Sequence, residues 1–145
     1  MSYPVYYCVT MIRGCSLTLK LLTEDMTKLN KLKSALSGLT SKVNQGNRYL
    51  SSAISTLHSR TGADKKPVFS GETASGHFSA LGRVQNDANK YKQIVNNVNQ
   101  EVGYQMIYLT KRINETNNDL EYWNRELRLA EMEEARENRV KREKE

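Results

Sequence analysis

Phenylalanine, tryptophan and proline are scarce in this chain: two, one and two in 145 residues. A globular core draws on bulky aromatic and β-branched side chains, so their shortage beside abundant Leu, Asn, Lys and Glu points to a single elongated helical unit. Runs of eighteen apolar residues are also missing, which excludes a membrane-spanning helix and fits a soluble chain. Residues 1–10 are apolar and aromatic, but no basic residue precedes Arg13, which argues against an ordinary secretory signal peptide. Arg13 within Ile12-Arg13-Gly14-Cys15 argues equally against a lipoprotein cleavage box.

Chemistry-bearing residues are few. Two histidines, His58 and His77, stand near a predicted turn with no converging nucleophile or acid, so neither catalysis nor a cofactor is expected. Gly71 to Phe78 has the glycine spacing of a phosphate loop, yet His77 and Phe78 replace the Lys and Ser/Thr that would hold phosphate and magnesium. Asn114-Glu115-Thr116 is a formal glycosylation acceptor in the middle of a predicted helix and is read as coincidence. Cys8 and Cys15 lie two helical turns apart on one face, too far for a disulfide and without the companions of a zinc site. They read as small buried hydrophobes.

The formal charge is +6 and unevenly held. Residues 121–145 carry seven Lys/Arg against eight Asp/Glu, so the excess belongs to the body of the chain. Lys28, Lys31, Lys33, Lys42 and Arg48 form a predicted solvated face, but no aromatic residues interleave them, and binding to nucleic acid is not expected.

Hydrophobic periodicity supplies the architecture. Leu22, Leu29, Leu36, Val43, Leu50 and Leu57 recur every seven residues, with Leu32, Leu39 and Ala53 as the expected second seam row. Gly46 falls on that seam and predicts a bend or a close helix approach, at a cost of about 1 kcal/mol relative to Ala. A second pattern runs through Phe78, Leu81, Val84, Ala88, Tyr91, Val95, Val98 and Val102. It then shifts near Gln105 onto Met106, Leu109, Ile113, Leu120, Trp123 and Leu127, as expected of a stripe that rotates slowly around the helix. The segment from Arg60 to Gly71 is rich in Gly, Asp and Pro and reads as a turn. The expected fold is therefore all-α: a long antiparallel helical hairpin or coiled coil with helix 1 over about 15–59, a turn over 60–71, helix 2 over about 72–127 and a charged C-terminal helical tail over 128–145. The tail, with candidate pairs Glu137 to Lys141 and Arg139 to Glu143, is expected to fray and to be disordered at its extreme end. Two helices leave their seams open on the flanks, so a further helix from a copy or a partner is wanted.

At the turn, Phe69, Gly71, Ala74 and Phe78 form an aromatic-x-Gly-x-x-Ala pattern followed by an aromatic one turn on. The arrangement resembles the small WXG-like helical-hairpin proteins of type VII secretion systems, with Phe where Trp is usual. In length and layout the chain is most similar to the YwqH-like partners of LXG toxins, over roughly residues 15–127. After the second stripe, Tyr122 and Glu126 are similar to the Tyr-x-x-x-Asp/Glu export signal of those systems. The resemblance implies a protein-binding targeting factor that packs its seams on a toxin's N-terminal helices, with a second small helical partner as a further option. The interface would comprise Leu22, Leu29, Leu36, Val43, Leu50 and Leu57 on helix 1, and Leu81, Val95, Val102, Leu109 and Trp123 on helix 2. It also implies that a secretion ATPase or receptor reads the tail, and that the protein passes from the cytoplasm by a route independent of a signal peptide. The rival expectation is a self-associating structural coiled coil of the phage or cytoskeletal spacer type.

Overall fold

The computed structural model describes residues 2–63 and 72–145, with the side chains of residues 57–63, 72–75, 77 and 78 left outside the description. Two helices account for the described chain: α1, Val5–Ala63, and α2, Glu72–Lys144. They pack against each other, and no strand occurs among the described residues, so the fold is an all-α helical hairpin.

The helix ends follow from local chemistry. Pro4 cannot donate a backbone hydrogen bond, but its carbonyl opens α1 by accepting from Tyr7 N at 3.0 Å and Cys8 N at 3.2 Å. This start lies ten residues ahead of the boundary expected near residue 15. At the other end α2 runs on through the charged segment to Lys144 instead of ending near residue 127. The stretch from Glu131 is rich in strong helix formers, and Lys141, Arg142 and Lys144 face the negative end of the helix dipole. The pairs anticipated there do not close. Elsewhere Lys28 pairs with Asp25 at 3.8 Å and Arg112 with Glu115 at 3.4 Å, both solvent-exposed and worth little.

The chain divides into two compact units: unit 1 comprises Met1–Asn30 and Tyr104–Glu145, and unit 2 comprises Lys31–Gly103. A single heptad phase governs both. Burial recurs on α1 at Cys8, Cys15, Leu22, Leu29, Leu36, Val43 and Leu50, which we label position d. The other inward row, position a, lies four residues further on in each heptad: Ile12, Leu19, Met26, Lys33, Thr40, Asn47 and Ile54. On α2 the d row includes Leu81, Ala88, Val95, Val102, Leu109, Thr116, Trp123 and Ala130, and the a row runs from Gln85 through Lys92 and Asn99 to Met106, Ile113, Leu120 and Leu127.

This phase corrects three expectations. Leu32, Leu39 and Ala53 are not the second seam row; they occupy position g, beside the seam, and Leu32 and Ala53 are exposed. Val84, Tyr91 and Val98 on α2 are likewise exposed g residues. The stripe of α2 does not drift near Gln105: Met106, Ile113, Leu120 and Leu127 continue a row whose earlier members happen to be polar. Gly46 also lies at position g, where a Cβ would meet nothing within 4 Å, so no close helix approach depends on it.

In unit 1 both inward rows are essentially apolar. Its one buried polar side chain among the described residues is Thr116, whose hydroxyl donates to the Arg112 carbonyl at 2.8 Å and so carries no unmet hydrogen bond into the seam. In unit 2 the a row is mostly polar: on α1 an exposed Lys33 and half-buried Thr40 and Asn47 precede Ile54, and on α2 it holds half-buried Gln85, Lys92 and Asn99. The buried apolar side chains described there, Leu36, Val95 and Val102, all belong to the d row.

Candidate helix-docking surface

The seam residues anticipated as a partner interface face the other helix of the same chain. Leu36, Val95, Val102 and Leu109 are buried, while Leu22, Leu29, Val43, Leu50, Leu81 and Trp123 are half-buried. The side chain of Leu57 lies outside the described residues, as do Phe69 and Gly71; Ala74 and Phe78 fall within α2, their side chains also outside. A surface open to another protein must therefore be sought on the flanks.

Unit 2 has one. In an antiparallel pair the g rows of the two helices lie on the same side of the seam and the e rows on the other. On the g side α1 presents Leu32, Leu39, Gly46 and Ala53, and α2 presents Val84, Tyr91 and Val98. The e side carries Ser37, Asn44 and Ser51 with Asn89 and Asn96. One side is thus apolar and the other is small and polar. The apolar side holds an open groove of about 570 Å³ lined by Val43, Gly46, Asn47, Tyr49, Leu50, Val84, Ala88 and Tyr91. Gly46 and Ala88 make it deep because neither side chain fills it, and Val84 and Tyr91 remain 54% and 48% exposed on its rim. Tyr49 is held beside it by Gln45, whose amide donates to the Tyr49 hydroxyl at 3.3 Å. The Asn47 carbonyl oxygen is buried without a hydrogen-bond partner, a cost of about 1 to 3 kcal/mol set against this part of the seam.

The charge is partitioned between the units. Residues 31–103 hold ten Lys/Arg and four Asp/Glu, a net +6, whereas unit 1 holds twelve of each and is neutral. By heptad position, Lys42 on α1 and Asp87 on α2 lie at c beside the g rows, whereas Arg83 and Lys90 lie at f and Arg48 at b, away from the groove.

Unit 1 is closed by a different device. Trp123 meets Tyr3 and Tyr7 edge to face, with ring centroids 5.1 and 5.5 Å away, and Tyr3 stacks on Tyr7 at 5.5 Å. Tyr122 adds a further edge contact to Trp123 at 5.1 Å. Ser2 hydrogen-bonds Glu133 beyond them. Of the anticipated signal, Tyr122 is exposed and Glu126 half-buried. The Tyr122 phenol is held above its ordinary value of 10.0, first by its hydrogen bond with Tyr3 and then by burial and the Glu126 carboxylate. The two signal residues therefore feel each other across one helical turn, and Tyr122 is tied to the start of α1 as well. Cys8 is wholly buried and Cys15 half-buried; both are free thiols, and burial, with Asp119 nearby, pushes the Cys15 thiol up. The aromatic clasp went unread in the sequence, although Tyr3 and Tyr7 stand one turn apart, a spacing that places both rings on one face.

Compared with known protein families, curated proteins and solved structures, the chain gives no match. Among the described residues no helix is long and apolar enough to cross a membrane, and no group of three His, Cys, Asp or Glu side chains could hold a metal ion.

Proposed function

We propose that the protein is a non-enzymatic helical partner that binds the N-terminal helices of an LXG-like toxin and supports its export by a type VII secretion system. The observation that carries this reading is the apolar g-side flank of unit 2, which leaves Val84, Tyr91 and Val98 exposed on a pair of helices with no further element among the described residues to cover them. The aromatic-x-Gly pattern of Phe69 and Gly71 and the Tyr122 and Glu126 pair support the secretion context.

Co-expression with the products of adjacent open reading frames, followed by affinity purification and mass determination of the complex, tests it. A larger protein that co-purifies at fixed stoichiometry through a helical N-terminal region is the expected result. A chain that purifies alone as a symmetric oligomer returns the structural coiled-coil reading. For the tail, Tyr122→Ala with Glu126→Ala should abolish export and leave partner binding intact; unchanged export removes the signal assignment.

A further inference from the structure

We infer that the e side of unit 2, the flank opposite the groove, is a second docking surface whose occupant is the phosphate backbone of double-stranded nucleic acid. The inference goes beyond the partner reading and does not rest on it.

Heptad position sorts the charge of this unit. Around each helix the rows follow one another as c, g, d, a, e, b and f, so a, e and b look to one side of the seam and d, g and c to the other. Residues 31–56 and 79–103 hold seven cations and two acids. Both acids, Asp87 and Glu101, lie at c on the groove side, as does Lys42. The other six cations avoid that side: Lys33 and Lys92 at a and Arg48 at b face the e side, and Lys31, Arg83 and Lys90 at f form its edges. All but the half-buried Lys92 are exposed.

The uncharged residues are as one-sided. Across the e, b and f rows of those stretches every side chain is Ser, Asn, Gln, Lys or Arg, glycines apart. An ordinary solvated face mixes Glu with Lys or Arg and uses strong helix formers, as the stretch from Glu131 does. Ser, Asn and Gly are weaker helix formers than Ala by up to about 1 kcal/mol each, so this face gives up helix stability for hydroxyl and amide groups. Cations set among hydroxyls and amides, with no carboxylate between them, match a polyanion rich in acceptors, and these side-chain types are the ones that hold phosphate oxygens in protein–DNA contacts. The lack of apolar side chains in these rows disfavours a further helix, which needs a hydrophobic seam, and a membrane surface, into which an amphipathic face inserts large side chains. The lack of aromatics disfavours a single strand, whose bases stack, but not a duplex held through its phosphates. Lys31 and Arg48 stand about 25 Å apart along α1 at 1.5 Å per residue, enough to span several phosphates of a duplex.

The test uses the full chain and a fluorescein-labelled DNA duplex of arbitrary sequence, with anisotropy followed between about 50 and 200 mM salt. Binding is expected, its logarithm falling linearly with the logarithm of salt at about −0.9 for each phosphate neutralised and about −4 to −5 in all. Lys31→Gln, Arg48→Gln, Arg83→Gln and Lys90→Gln together, all at exposed positions, should weaken binding at least about tenfold and take about 3 to 4 from that slope. Circular dichroism checks that the helices are retained; if they are not, Arg48→Gln alone, lowering the slope by about 1, carries the same test. Asn89→Ala with Asn96→Ala should weaken binding about three- to tenfold and leave the slope unchanged, because amides release no counterions. Lys42→Gln, on the groove side, should stay within about twofold of the parent. No binding at low salt, a loss from Lys42→Gln as large as that from Arg48→Gln, or no loss from the two Asn substitutions overturns the inference. So does tighter binding to a single strand of the same sequence. Vesicles of phosphatidylcholine with phosphatidylserine that bind the chain as tightly as the duplex also overturn it, since the surface then belongs to a membrane.

Discussion

Unit 1 and unit 2 are built from the same two helices in the same heptad phase, yet they solve the problem of a two-helix core in opposite ways. Unit 1 makes both inward rows mostly apolar, adds an aromatic clasp at its end and carries mostly polar g residues, with Arg112, Asp119 and Glu126 on α2. Unit 2 makes one inward row polar and moves hydrophobic side chains outward to one flank. The first arrangement is neutral and the second charged; both leave large apolar side chains exposed, Leu17, Leu21, Ile107 and Tyr108 among them in unit 1 and Val84, Tyr91 and Val98 in unit 2. What distinguishes the units is where the inward rows and the aromatic clasp place their stability, and substitutions should separate them.

The largest effect belongs to the clasp. Trp123→Ala should destabilise the protein by about 3 kcal/mol, at the lower end for a large aromatic because Trp123 is only half-buried, as measured by the denaturant midpoint. Tyr91→Ala, on the open flank, should stay within about 0.5 kcal/mol of the parent. Equal losses at the two sites would break the contrast between the units.

The next effect has the opposite sign. Asn47→Leu should stabilise by about 1 to 2 kcal/mol, because it removes a buried unsatisfied carbonyl and adds an apolar residue to the polar row. A loss of stability in urea unfolding would mean that the polar row is satisfied in a way its geometry does not display.

Gly46→Ala should raise stability by about 1 kcal/mol in thermal unfolding, since the new methyl meets nothing within 4 Å and the helix gains propensity. The same methyl narrows the groove, so tighter folding should come with weaker helix binding.

The smallest effect is one of pH. The Tyr122 phenol is raised above 10.0 in the fold, so the folded state holds that proton more tightly than the unfolded chain. The stabilisation is fully present below the ordinary phenol value and is lost as pH rises through the raised one. Tyr3→Phe should lower the Tyr122 titration point in an ultraviolet absorbance titration and flatten this alkaline loss.

The hairpin was legible in the sequence because Leu22 to Leu57 keeps one phase without interruption. The second inward row was not. In the middle of the chain the most hydrophobic companions of the d row are the g residues, Leu32 and Leu39 on α1 and Val84, Tyr91 and Val98 on α2. Hydrophobicity therefore selects d with g, whereas the helices pair through d with a. The chain ends decide the matter: Ile12, Leu19 and Met26 with Ile113 and Leu120 fix the phase in unit 1, and a continuous helix carries it onward through Lys33, Thr40 and Asn47. What looked like a rotating stripe near Gln105 was a change of polarity within a fixed row. The tail was expected to be helical, but its continuation to Lys144 without fraying was not, for a related reason. Weak individual ion pairs suggested fraying, but propensity summed over many Glu, Arg, Ala and Lys residues favours the helix without them.

The aromatic clasp also sets an order of events. Tyr3 and Trp123 stand near opposite ends of the chain, so the earliest part of α1 to be synthesised is the last to find its cover. Until Trp123 has been made, Tyr3, Tyr7 and Cys8 have no opposing surface, whereas the residues of unit 2 find theirs within a contiguous stretch of chain. Cys8, the one wholly buried large side chain among those described, is therefore among the residues that wait longest for cover, and its exposure is greatest during synthesis itself.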